Sequence, residues 1–155
     1  MKCDVAIVGA GPAGGMAACR LAGSGLKVVL LEKCPLPRPK ACGGAVPEDA
    51  LHGLSGDWQT VVERRVWEIR YLYDFRMERT FRASTPLLMV DRSRFDEALI
   101  RRAAAAGKGD FILWDRFAVK TVEEAEHAVR IRGEHGKTVS AGAVIAADGA
   151  NSRIG

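Results

Sequence analysis

The sequence is short of every feature that would take it out of the ordinary globular class. Four cysteines are present (Cys3, Cys19, Cys34 and Cys42), and no two of them form a CxxC pair. Together with three scattered histidines they show no metal-ligand spacing. This reads as reduced thiols in a cytoplasmic protein without a metal site. No stretch approaches the roughly 18 consecutive apolar residues of a membrane-spanning helix. The N-terminus lacks a signal-peptide pattern, because Lys2 is followed by Asp4 and glycines cut the apolar run behind them. There are no internal repeats and no low-complexity tail. Neither sign of charge dominates. The net charge of +4 over 155 residues is too diffuse to argue for nucleic acid, and it suits an anionic cofactor, a diphosphate substrate or an acidic membrane surface. What remains is 48% apolar and 27% charged, the composition of one domain with a real core.

The chain opens with "CDVAIVGAGPAGGMAACRLAGSGLKVVLLEK". Val5–Val8 is an apolar, β-branched run, as in a strand buried on both faces. Good helix formers follow from Met16 to Ala22, and Gly23 and Gly25 end the helix. Gly15 costs that helix about 1 kcal/mol relative to Ala. Lys27–Leu31 reads as a second strand ending on Glu32, which completes a β-α-β unit. A Pro-rich loop comes next, then a short helix in "PEDALHGL" with acidic residues in its first turn. From Trp67 to Met77 apolar and charged residues alternate, the pattern of a half-exposed antiparallel strand or hairpin. "VDRSRFDEALIRRAAAAGKG" predicts a helix capped by Ser93, with Asp96 three residues on and with Phe95, Leu99 and Ala103 on its buried face. Phe111–Trp114 reads as a strand, residues 119–140 as a separate antiparallel meander, and "AVIAADG" as a final strand.

The strongest chemical signal is Gly9-x-Gly11-x-x-Gly14. Alone this pattern is weak. Here it follows a strand, opens a helix, and has an acidic residue at the end of the next strand, the full context of a dinucleotide-binding fingerprint. Gly9 permits the tight turn, Gly11 admits a pyrophosphate to the backbone, and Gly14 allows close helix–strand packing. Pro12 and Ala13 lie between these glycines as further cofactor-binding candidates, and the unpaired amides at the helix start favour phosphate. Glu32, beside Lys33, is placed to accept hydrogen bonds from a ribose. The fingerprint by itself does not choose between NAD and FAD.

The order of the remaining elements does. The chain resembles the FAD-binding fold of the flavoprotein monooxygenase and reductase superfamily that includes p-hydroxybenzoate hydroxylase, which implies a Rossmann-like α/β domain with a parallel sheet, an antiparallel meander and part of an antiparallel substrate-domain sheet. "IAADGANSRIG" resembles its second nucleotide motif, which would set Asp148 and Gly149 near the pyrophosphate and ribose. "VDRSRFDEAL" resembles its Arg-x-x-Phe/Leu helix start, directing Arg92 toward the cofactor. The same match places the backbone of Ala118 and Val119 at the adenine. "PKACGGAVPED" is similar to the Cys-Gly-Gly segment of geranylgeranyl reductases, where Gly43 and Gly44 would let the backbone approach the flavin ring and Cys42 would face the active centre as the candidate catalytic residue.

That resemblance implies an FAD-dependent oxidoreductase reducing carbon–carbon double bonds of an isoprenoid (geranylgeranyl) group. Electrons would come from NAD(P)H or ferredoxin, and the parent enzyme would be cytoplasmic with a possible peripheral membrane contact. An FAD-dependent aromatic monooxygenase and a non-catalytic nucleotide-binding module are the alternatives. The superfamily's third FAD motif, a Gly-Asp-Ala segment, is absent. Residues 1–155 are therefore expected to form the N-terminal part of an FAD-binding domain, with residues 60–90 an excursion into an incomplete substrate domain.

Overall fold

The computed structural model describes residues 1–52, 58–152 and 154. The chain divides into two compact units, one formed by Met1–Arg38 with Asp96–Gly155 and the other by Pro39–Phe95. The first unit begins as the sequence predicts. Strand β1 (Lys2–Val8) leads into helix α1 (Pro12–Leu21) and then strand β2 (Val28–Leu31), which pairs parallel to β1 with Val5 opposite Val28 and Val8 opposite Leu31. The chain returns through α2 (Arg92–Gly107), β6 (Phe111–Trp114), β7 (Val119–Ala125), β8 (Ala128–Gly133) and β9 (Thr138–Ala146). Six strands form one sheet in the order β6-β2-β1-β9-β8-β7. The four from β6 to β9 run parallel, whereas β8 and β7 are antiparallel to their neighbours.

Both faces of β2 and of the second half of β1 are buried, as continuous apolar runs require. On one face Ile7, Val28 and Leu30 pack with Ala18 of α1 and with Ile100 and Ala103 of α2. On the other, Ala6, Val8, Val29 and Leu31 pack with Phe117, Ile131 and Val139. The alternation along β1 follows from the two-residue period of a strand.

Two expectations need correction here. The 119–140 meander is not separate, because β9 is a single strand that pairs antiparallel with β8 on one edge and parallel with β1 on the other. The helix α2 is capped by Asp91 rather than Ser93. The Asp91 carboxylate accepts the Arg94 amide at 3.0 Å and the Ser93 hydroxyl, which together hold its pKa below the usual carboxylate range, the hydroxyl contributing most. Phe95, Leu99 and Ala103 are buried as predicted.

The second unit is a three-stranded antiparallel sheet, β3-β5-β4, of β3 (Ala45–Pro47), β4 (Val62–Tyr73) and β5 (Met77–Val90). The alternating segment is a hairpin: Asp74 and Phe75 take positive φ at its tip, so Met77 starts the return strand instead of ending the first. The predicted short helix is a 3-10 turn over Glu48–Leu51, and Gly53 and Leu54 lie outside the described residues. Leu51, Val61, Leu88, Val90 and Phe95 are among this unit's buried apolar residues.

Candidate nucleotide-binding site

In this sheet β1 sends its helical crossover toward β2 on one side and lies against β9 on the other. The strand order thus reverses beside β1, and the crevice beyond the carboxyl ends of β1 and β9 is where open α/β sheets take ligands. Two sequence motifs meet there. Gly9 leaves β1 with φ of +102°, a conformation other residues rarely adopt. A Cβ on Gly9 would strike the carbonyl oxygen of Ala147 and come within 3.0 Å of the Asp148 Cα. The Ala147 amide donates to the Val8 carbonyl at 2.9 Å, so the Asp148-Gly149 turn is tied to the fingerprint turn. Gly149 also has positive φ, at +98°. A Cβ on Gly14 would strike the Gly9 carbonyl oxygen.

Helix α1 starts with Gly11 as its extended N-cap and Pro12 as its first residue, and no described side chain caps it. Its first-turn amides, with that of Ala13 among them, are donors that the helix itself leaves unpaired. A cradle closed to any Cβ and facing an uncapped helix start fits the pyrophosphate of a dinucleotide.

Glu32 lies on the same side and is 4% exposed. One carboxylate oxygen accepts the Ala10 amide at 2.8 Å. The other accepts the Cys34 amide at 3.1 Å and lies 3.5 Å from Nε of Arg38. The Glu32 carbonyl accepts the Phe117 amide at 2.8 Å, which brings the neighbouring Ala118 and Val119 beside it in the chain. The Ala118 carbonyl is occupied by the Glu134 amide at 3.1 Å. Lys33 is exposed. Sequence reasoning assigned Glu32 to a ribose but missed that its carboxylate braces the fingerprint turn from within. It also missed Arg38, which only its position in a Pro-rich loop rich in basic residues could have flagged.

Cys42, Gly43, Gly44 and Arg92 belong to the second unit. Cys42 is exposed, and its sulfur accepts the Gly44 amide at 3.5 Å. The two glycines differ. Gly44 has φ of +73°, and the Val90 carbonyl stands where its Cβ would be, while the Val90 amide donates to the Gly44 carbonyl at 2.9 Å. Around Gly43 nothing lies within 4 Å of an added Cβ. Close approach by the chain itself therefore accounts for Gly44, and Gly43 is the glycine with open space beside it. Arg92 is the first residue of α2.

The topology and the fingerprint define the class: a dinucleotide-binding α/β fold of the Rossmann type with an antiparallel excursion. The chain belongs to the family described as lycopene cyclase protein, whose family model matches residues 4–155. The resemblance to geranylgeranyl reductases is borne out by its relatives. It is 35% identical to the geranylgeranyl diphosphate reductase of Rhodobacter capsulatus, over 99% of this chain and 39% of that protein. It is also 35% identical to a digeranylgeranylglycerophospholipid reductase of Methanopyrus kandleri, over 100% of this chain and 42% of that one. A geranylgeranyl bacteriochlorophyll reductase-like protein of Thermoplasma acidophilum superposes with a TM-score of 0.77 at 27% identity, covering 96% of this chain and 39% of its own. The FAD-dependent chondrochloren halogenase from a myxobacterium shares the fold, with a TM-score of 0.78 at 23% identity over 99% of this chain and 38% of its own. The chain spans about two fifths of the length of these relatives.

Proposed function

We propose that this chain is the N-terminal, nucleotide-binding part of an FAD-dependent oxidoreductase that reduces carbon–carbon double bonds of an isoprenoid group. The observation that carries this reading is the meeting of the Gly9–Gly14 turn with the Asp148-Gly149 turn at the switch point of the sheet, in a chain whose relatives at 35% identity bear geranylgeranyl reductase names. The ADP half of FAD docks on Gly9, Gly11, Ala13 and Gly14, with Glu32 beside the ribose, Ala118 and Val119 at the adenine, and Asp148 and Gly149 at the pyrophosphate. Arg92 and the Gly43 and Gly44 backbone, in the second unit, are assigned to the flavin half of the cofactor. Reduced flavin, when bound, supplies hydride. Cys42 lies beside the reacting centre, where its thiol holds a proton for the alkene or positions the substrate. Electrons come from NAD(P)H or a ferredoxin, and the long apolar substrate is met at or near a membrane surface. Among the described residues no helix is long and apolar enough to cross a membrane.

The test uses the full reading frame of the gene. Purified protein with FAD and a chemical reductant is incubated with geranylgeranyl diphosphate, and the product is examined by mass spectrometry for added hydrogen pairs. Retention of a flavin spectrum and stepwise gain of hydrogen support the proposal. Hydroxylation of an aromatic substrate with oxygen uptake, and no polyprenyl reduction, overturns it.

A further inference from the structure

Asp96 has no part in the site described above, yet it is one of the most deeply buried side chains in the protein, 1% exposed in helix α2. A carboxylate so placed is costly unless a charge or hydrogen bonds compensate it. Arg38 provides that charge. Its Nη2 lies 3.6 Å from Oδ2 of Asp96, while its Nε lies 3.5 Å from Oε1 of Glu32. A planar guanidinium is suited to such a double engagement, since its donors project in fixed and different directions. Glu32 in turn holds the amide of Ala10, inside the fingerprint, and that of Cys34. The contacts run without a break from Asp96 through Arg38 and Glu32 to the nucleotide turn. All four groups are within the first unit, and Arg38 and Asp96 occupy its two chain crossings: one is the last residue before the chain leaves and the other the first after it returns.

Two carboxylates share one guanidinium here, so they compete for it. With Asp96 in place, Arg38 is held between them, and Glu32 keeps an oxygen on Ala10. Without the Asp96 charge, Arg38 has a single carboxylate to engage, and a bidentate grip on Glu32 draws that carboxylate off the Ala10 amide. We infer that Asp96 is a positioning residue for the nucleotide site: acting through Arg38, it fixes the Glu32 carboxylate on Ala10 and so preorganises the fingerprint turn for an ADP-type ligand. This rests on the nucleotide-binding reading above.

The experiment compares the wild-type chain with Asp96→Asn, Glu32→Gln and the double variant, by calorimetric titration with ADP and by amide hydrogen exchange at Ala10 in the absence of ligand. Asp96→Asn is expected to weaken ADP binding roughly tenfold, within the range of couplings between members of one network, and to speed exchange at Ala10. In the Glu32→Gln background the same change is expected to do neither. Wild-type ADP affinity and wild-type Ala10 exchange in Asp96→Asn overturn the inference, as does an equal loss of affinity in both backgrounds. If the wild-type chain binds no ADP, the nucleotide reading falls, and exchange at Ala10 alone decides whether Asp96 governs Glu32. If Asp96→Asn does not fold, Arg38→Lys is read in its place. It keeps the charge and loses the double engagement, and unchanged exchange at Ala10 in that variant overturns the inference.

Discussion

Gly14 stands against the carbonyl oxygen of Gly9, and no side chain fits between them. The third glycine of the fingerprint is thus a packing requirement imposed by the first. It presses the start of α1 onto the end of β1, next to the turn proposed to hold phosphate.

Gly14→Ala is therefore expected to destabilise the chain by about 1–3 kcal/mol through overpacking, because the opposing atom is backbone and cannot swing away. Urea unfolding measures the loss. ADP affinity should fall with it, and a variant as stable as the wild type would show that the turn relaxes freely.

Gly15 makes a sharper case. Helix propensity favours Ala at this position by about 1 kcal/mol, but a Cβ there would come within 2.9 Å of the Leu99 Cβ. Two helices meet at that point with no room for a methyl group. Gly15→Ala is expected to lower the melting temperature despite its better propensity, and a rise would mean that α2 shifts without cost.

Glu32→Ala leaves the buried Ala10 amide without its acceptor and Arg38, 13% exposed, without one of its carboxylates. Removing one partner from a buried polar pair costs about 1–3 kcal/mol. Stability of the ligand-free chain should drop by that order. If only nucleotide affinity changes, the carboxylate serves the ligand and not the turn.

The pattern of agreement between sequence and fold has a physical source. β1, β2 and β6 were legible because strands buried on both faces read as unbroken apolar runs. β9 was read as two pieces, the end of the 119–140 meander and a final strand, and Gly142 lies between them. Its purpose is close approach, since a Cβ there would sit 3.0 Å from the Asp4 carbonyl oxygen in the neighbouring strand. Ser93 and Asp96 imitated a capping pattern, but Asp96 points to Arg38, a partner far away in sequence that no local spacing encodes. The fingerprint itself was legible as a motif. Its bracing from within by Glu32 was not, because the same residue and spacing also suit a ribose.

The Asp91 cap carries a pH dependence. Its carboxyl pKa is lowered in the folded chain by the Ser93 hydroxyl and the Arg94 amide. A group whose pKa is depressed on folding stabilises above its unfolded value, and the contribution is lost as pH falls through the folded one. Wild type should thus melt above Asp91→Ala at pH 6, and the difference should shrink progressively as pH falls from about 4. A constant difference between the two, followed by calorimetry from pH 6 to pH 3, would remove the charge from the account of this cap.

The thiols should separate by environment. Burial pushes the Cys19 thiol pKa up, and the thiol donates a hydrogen bond to the Leu99 carbonyl at 3.1 Å. Burial, with help from Asp4, does the same for Cys3. Cys42 is exposed. Since the thiolate is the reactive form and access is required as well, a disulfide reagent at pH 8 is expected to modify Cys42 first and Cys19 far more slowly, as peptide mapping would show. Ligands then separate the roles assigned to the two groups of site residues. ADP fills only the nucleotide half, so it should leave the Cys42 rate unchanged. FAD also carries the ring proposed to lie beside Gly43, so saturating FAD should slow Cys42 and leave Cys19 as it was. Protection by ADP alone would move the cysteine to the nucleotide half. No protection by bound FAD would take Cys42 away from the flavin, and its assignment to the chemistry would go with it.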